Sequence, residues 1–281
     1  KSLARKLFYA TLIILVVLAV IFAYIDLQIS ILLVERDSLW SRFIANYGEV
    51  PGTLFIIISL FIYFRIRVGS NIRKNLIFSF LTFGILLWQI YSLFMQITKK
   101  DFSIQNINVI LISFFGIIII ILIFFLNTVD ISYFQKYDNP SRVTLGLAIL
   151  NPLLFVQSIK ILWGRIRFRD LASDYADYTP WFIPQGITGH QSFPSGHTAM
   201  GWMLLPLLLL TLNKGWKAKV FLVTIIFAWG FGVALGRVVI GAHYASDTLF
   251  STGVAFLGYL LLYRYIYYSQ KPSLENGVIS S

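Results

Sequence analysis

Apolar residues in this chain run in long, nearly unbroken stretches, not in the alternating or one-faced stripes of a water-soluble fold. A membrane-crossing helix needs about 20 mostly apolar residues. Eight stretches qualify, near residues 7–27, 50–66, 75–97, 106–127, 143–162, 197–213, 219–239 and 244–266. The pattern predicts an all-α fold: a polytopic transmembrane helical bundle of about eight spans, nearly free of charge along their lengths. It reads as a single integral-membrane domain over 1–281, with N-terminal spans in 1–142 and spans carrying the polar clusters in 143–268. The first stretch follows a basic start (Lys1, Arg5, Lys6). It is too long for a signal-peptide core and no small-residue cleavage site follows, so it reads as a retained span.

Composition agrees. Of 281 residues, 58% are apolar and 12% charged, against roughly a quarter charged in soluble domains. The absence of cysteine excludes disulfides, Cys-ligated metal sites and a thiol nucleophile. A net charge of +11 would raise nucleic acid as a partner, but the cations lie in short clusters between apolar runs, where membrane topology accounts for them. Most fall in alternate connections: the N-terminus, 65–74, 136–142, 214–219 and the tail with Arg264 and Lys271. Eight spans put all of these on one side, the cytoplasmic one. Both termini are then cytoplasmic, in a membrane of prokaryotic cytoplasmic type. Arg36, Arg42, Lys99, Lys100, Lys160, Arg165, Arg167, Arg169 and Arg237 fall outside. Aromatics near span ends, such as Trp40, Trp181, Trp216 and Tyr265, fit interfacial belts and need no further role.

The longest outward connection, about 164–196, holds Pro180, Pro184 and Pro194; an ordered loop of that length commonly has a task such as covering a site. Three polar clusters lie on the same outer face. Lys160 and Arg167, seven apart, share one side of the end of the fifth span, with Arg169 beyond; alone they are ordinary snorkelling cations. Pro194-Ser195-Gly196-His197 makes a sharp entry into the sixth span, where first-turn N–H groups, the Ser195 hydroxyl and the approachable Gly196 backbone suit an anion; alone it is a common helix cap. Arg237 closes the seventh span, and His243 and Asp247 open the eighth. At i, i+4 the carboxylate can hold one imidazole nitrogen protonated and leave the other outward as nucleophile or base; alone this is an interfacial pair. Jointly, cations and helix ends make a phosphate cradle, and two histidines supply nucleophile and acid, the parts phosphoryl transfer needs.

The clusters resemble the three signature motifs of the type 2 phosphatidic acid phosphatase (PAP2) superfamily. They read here Lys160-x6-Arg167-Phe168, Pro194-Ser195-Gly196-His197 and Gly236-Arg237-x5-His243-x3-Asp247. Phe168 stands where the family pattern has Pro, and Gly236 where it has Ser; neither change removes a titrating group. The resemblance implies a six-helix core with two extra spans among the first four. It implies that His243 attacks phosphorus, Asp247 orients His243, and His197 protonates the leaving group and then activates water. Lys160, Arg167, Ser195, Gly196 and Arg237 would hold the phosphate oxygens, with no metal and no cofactor. Arg165 and Arg169 lie outside the motif and read as exposed loop cations, with a second-phosphate contact as the alternative. His190 reads as a hydrogen-bonded loop residue.

The expected activity is metal-independent hydrolysis of a lipid phosphate or diphosphate (isoprenyl diphosphate, phosphatidate, phosphatidylglycerophosphate or a lipid A-type phosphate) at the outer membrane face. The expected partners are that substrate and membrane lipids. A phosphotransferase using a sugar or lipid hydroxyl, and a transporter of anionic lipid or phosphate, are the rival readings.

Overall fold

In the computed structural model, residues 2–68, 128–211 and 214–268 are described, with isolated positions between 84 and 95. The expected spans at 75–97 and 106–127 lie outside the described residues, those isolated positions apart. Among the described residues every regular element is helical. α1 is Ser2–Leu33, α2 Leu39–Tyr47, α3 Val50–Val68, and α4 the short Ile131–Gln135. α5 (Asp138–Ala148) passes through a π-helical stretch, Ile149–Val156, into α6 (Gln157–Trp163). α7 (Gly196–Gly201) continues as a 3₁₀ segment, Trp202–Thr211; α8 is Trp216–Val239 and α9 Ala245–Tyr268.

Among the described residues, five helical stretches are long and apolar enough to cross a membrane: Leu3–Leu33, Leu39–Arg67, Asp138–Asp170, Trp216–Val239 and Ala245–Tyr267, with Gly196–Thr211 a shorter apolar helix. They coincide with the first, second, fifth, seventh, eighth and sixth expected spans. Several run longer than the apolar pattern indicated; at the end of α3, for example, Arg67 pairs with Asp138. The α5–α6 span carries Pro152 within its π-helical stretch. Proline lacks an N–H and clashes with the preceding turn, and wider π turns are a recognised accommodation in membrane helices.

The outward surface is apolar. Ile13, Val16, Val17 and Val20 of α1 are each more than half exposed, which water would not tolerate over so large a patch and lipid does. The chain is an integral membrane protein. Inside, Trp202, Met203, Leu205, Ile226, Leu147 and Ala255 form the core, and the Trp202 indole N–H donates to Thr252 Oγ1 at 2.8 Å. Lipid tails are as apolar as leucine, so helices associate by close packing at small residues. A Cβ at Gly253 would stand 2.6 Å from Leu15 Cδ1, one at Gly230 2.5 Å from the Trp202 ring, and one at Gly52 2.2 Å from the Met200 carbonyl. These contacts seat α1 on α9, α8 on the 3₁₀ segment, and α3 on α7. They bring the C-terminal ends of α6 and α8, the N-terminal ends of α3, α7 and α9, and the C-terminal half of α1 to one end of the bundle.

Candidate active site

Each of the three clusters is held by a local device the sequence encodes. Gly164 ends α6 in the left-handed conformation (φ 59°), open to glycine without a steric penalty. The chain then runs from Arg165 to a short 3₁₀ turn at Phe168–Asp170. Ser195 caps α7, accepting from Thr198 N–H at 3.4 Å and the Thr198 hydroxyl at 2.9 Å. Between α8 and α9, Gly241 takes φ 69°, and the Arg237 carbonyl accepts from Ala242 N–H (3.1 Å) and His243 N–H (3.2 Å). The three segments are stitched together through backbone: Ser192 N–H donates to Arg165 O (3.0 Å), Arg169 N–H to Gly241 O (3.0 Å), and Ser195 N–H to Asp247 O (3.1 Å).

On this frame the expected residues converge. Lys160 Nζ lies 3.5 Å from where a Cβ on Gly196 would stand, so the lysine overhangs the Pro-Ser-Gly-His turn. Arg237 and Arg167 each carry a buried Nε without a hydrogen-bond partner among the described residues. A buried guanidinium N–H left unpaired is costly, and two of them beside Lys160 form a donor set suited to phosphate oxygens. Ser195 is fully buried, and its Oγ already serves the α7 cap.

His243 is 1% exposed. Its Nδ1 faces the Ser192 carbonyl at 2.6 Å, which fixes the proton there and leaves the Nε2 lone pair free. The Asp247 carboxylate is 3.6 Å from Nδ1, beyond a hydrogen bond. The expected His–Asp pair is present at ion-pair distance, and the Ser192 carbonyl is the direct hydrogen-bond partner of the ring. Asp247 Oδ2 is instead held by the Ser192 hydroxyl (2.5 Å) and Tyr244 N–H (2.9 Å). Burial drives the His243 ring down to about 3 against the opposing pull of Asp247, so it is neutral at physiological pH, the form a nitrogen nucleophile requires.

His197 stands on the open side, 29% exposed. Its Nδ1 is 2.9 Å from Glu49 Oε1 and its Nε2 3.2 Å from the Ala45 carbonyl. Both nitrogens face acceptors, so only the imidazolium satisfies both. Glu49 was not anticipated from sequence: it lies between α2 and α3, far along the chain, and only the packing of those helices on α7 and α8 places it here. A lone acid just before an apolar run was the available signal.

Arg165 overturns its reading as an exposed loop cation. It is 1% exposed, with Nη1 2.6 Å from Asp247 Oδ1, Nη2 2.9 Å from Asp26 Oδ2, and Nε donating to Thr179 O at 2.9 Å; its guanidinium carbon lies 3.9 Å over the Tyr244 ring. Arg169 is about one-third exposed beside Asp170. Asp26, on α1, is wholly buried. It too was missed, although an acid inside an apolar span is a functional pointer by default. His190 is exposed, its backbone N–H on Thr188 Oγ1.

The long loop is strapped down. Trp181 donates to Ala19 O on α1 at 3.0 Å and packs on Phe250 at 4.6 Å, so it is more than an interfacial belt residue; Gln185 N–H bonds Trp163 O at 2.8 Å. The two motif departures have physical reasons. Phe168 is buried, stacking on Tyr175 (5.6 Å) and meeting the edge of Tyr244. At Gly236 a Cβ would stand 2.9 Å from Ile44 Cγ2 and 3.2 Å from Trp40 Cζ3, because α2 lies directly on it. Gly236→Ser should therefore cost about 1–3 kcal/mol by overpacking. The reading is a lower melting midpoint in detergent that Ile44→Ala in the same chain largely restores. A Gly236→Ser protein melting like the parent would mean α2 gives way freely.

Among the described residues, no group of three or more His, Asp or Glu side chains is placed to hold a metal ion. Residues 142–271 match the PAP2 superfamily. Over 83 residues the chain is 37% identical to phosphatidylglycerophosphatase B of Haemophilus influenzae, covering 28% of this chain and 34% of that protein. The chain thus spans about a third of the length of the curated relative it matches. No solved structure matches it. Lys160, Arg167, Ser195, Gly196, His197, Arg237, His243 and Asp247 all lie inside the segment, residues 142–271, that is similar to the PAP2 superfamily.

Proposed function

We propose that the protein hydrolyses a phosphate monoester or diphosphate on a lipid, without metal, through a phosphohistidine at His243. The observation that carries this is the buried His243 ring with its Nδ1 proton fixed on Ser192 O, in a cluster whose Arg167 and Arg237 each bring an unpaired guanidinium N–H. Lys160, Arg167, Arg237 and the Ser195–Gly196 turn bind the phosphate oxygens. His243 Nε2 attacks phosphorus as the bond to the lipid oxygen breaks, and the His197 imidazolium gives its proton to that oxygen. Water then attacks the phosphohistidine while neutral His197 takes the water's proton; the P–N bond breaks, and phosphate leaves. The three cations meet the charge that develops in the transition state.

The chain acts as one membrane domain of eight spans with both termini cytoplasmic and the site at the outer face. The positive-inside distribution of Lys and Arg supports this. The head group enters laterally while the tails stay in lipid.

Purified protein in detergent with EDTA, offered phosphatidylglycerophosphate, phosphatidate, an isoprenyl diphosphate and lipid A, is expected to release inorganic phosphate from at least one of them. Phosphate release from none, with a folded protein, would overturn the hydrolase reading; a phosphorylated sugar or lipid acceptor would replace it with phosphotransfer.

A further inference from the structure

We infer that Asp26 on α1 is a positioning residue of this centre: through Arg165 it sets the charge of the Asp247 carboxylate behind His243, so that the catalytic unit extends to a helix outside residues 142–271. This rests on the proposed hydrolysis at His243.

Three ionic side chains are buried in series. Asp26 is 0% exposed, Arg165 1% and Asp247 0%. Arg165 spans the two carboxylates, with Nη2 2.9 Å from Asp26 Oδ2 and Nη1 2.6 Å from Asp247 Oδ1. Asp26 is further held by Ser246 N–H on Oδ1 (2.9 Å) and the Ser246 hydroxyl on Oδ2 (2.5 Å). The Ser246 hydroxyl oxygen also accepts from Arg165 Nη1 at 2.9 Å. Asp247 Oδ2, the oxygen turned away from Arg165, is the one 3.6 Å from His243 Nδ1.

The charge count separates this role from scaffolding. An Arg165–Asp247 pair alone would be neutral, and neutral is the least costly state for ions removed from water. With both carboxylates ionised, as this inference requires, two of them on one guanidinium leave a net charge of minus one, which an apolar span tolerates poorly. That surplus charge sits behind His243, where a positive imidazolium develops as Nε2 bonds to phosphorus. Asp26 draws on the guanidinium from the far side and leaves Asp247 anionic toward the histidine. At low effective dielectric such a charge acts over several ångströms.

Asp26→Asn keeps the shape and one acceptor oxygen, for Arg165 Nη2 and the Ser246 hydroxyl, removes the charge, and gives up the acceptor for Ser246 N–H. The expected result is a kcat for phosphate release lower by roughly 10- to 100-fold with KM unchanged, slower phosphoenzyme formation in single turnover, and a melting midpoint lowered by only a few degrees. Asp26→Asn/Arg165→Gln returns the cluster to minus one through Asp247 alone and is expected to recover most of the lost kcat. An Asp26→Asn enzyme with unchanged kcat, or a loss confined to KM, would overturn the inference while leaving the hydrolase reading intact. So would a double variant no faster than the single one. Should the single variant not fold, the double variant decides: turnover near the parent's supports the charge account, and a loss above about 100-fold overturns it. If the parent itself releases no phosphate from any lipid, the hydrolase reading fails first, and this inference fails with it.

Discussion

His243→Ala is expected to reduce phosphate release by about 10⁴-fold or more, because loss of the nucleophile removes the covalent route and residual binding groups cannot replace it. Alkaline-quenched single turnovers should show a lipid-derived phosphoenzyme in the parent and none in the variant. A variant retaining a tenth of parental turnover would exclude His243 as the nucleophile. The same ring governs an acid effect on stability. Its value in the fold is lowered from 6.5 to about 3, chiefly by burial. Below 6.5 the unfolded chain takes up a proton that the folded chain refuses, so stability present above 6.5 is lost as pH falls toward 3. His243→Gln should therefore show a smaller fall in melting midpoint between neutral pH and pH 4 than the parent. Equal falls would mean that the ring does not stay neutral in the fold.

Arg165→Leu is expected to prevent folding or to yield an aggregated protein. It leaves Asp26 and Asp247 facing each other in the interior with no cation; breaking a buried pair from one side costs about 3–5 kcal/mol, and here two pairs break together. Net stabilities run to only about 5–15 kcal/mol. Arg165→Lys should rescue little, since one ammonium cannot reproduce a fork that reaches Asp26, Asp247 and Thr179 O together. Arg169→Ala, at a partly exposed position of the same loop, should melt within a degree or two of the parent. The measurement is size-exclusion in detergent followed by a thermal melt. A monodisperse Arg165→Leu protein melting near the parent would mean the two carboxylates are protonated or hydrated in the fold, contrary to the packing described here.

The helices were legible because span length is a local property: six of the eight expected stretches coincide with apolar helices in the structure, and the other two lie outside the described residues. The π-helical passage through Pro152 and the 3₁₀ run from Trp202 to Thr211 were not legible, since the hydrophobic pattern does not distinguish helix types. Within the site, the sequence already named the residues of the three motifs, because each motif keeps its partners within one turn or one loop. It misjudged Arg165, because nothing local distinguishes an arginine on a loop from one buried by a loop. It passed over Glu49 and Asp26, whose partners lie 148 and 139 positions away.

By itself, then, the sequence determined the membrane class, the apolar helices among the described residues and the three polar motifs that the fold brings to one end of the bundle, all consequences of composition and short spacing. Only the tertiary structure decided which groups stand behind the two histidines. It gave His243 the Ser192 carbonyl as its direct partner, with Asp247 one step removed. It gave His197 an acid from the α2–α3 junction, and it tied Asp247 through Arg165 to α1. Those choices depend on which helices touch, and that is settled by where glycines let backbones approach and by the cost of leaving any buried charge without a partner.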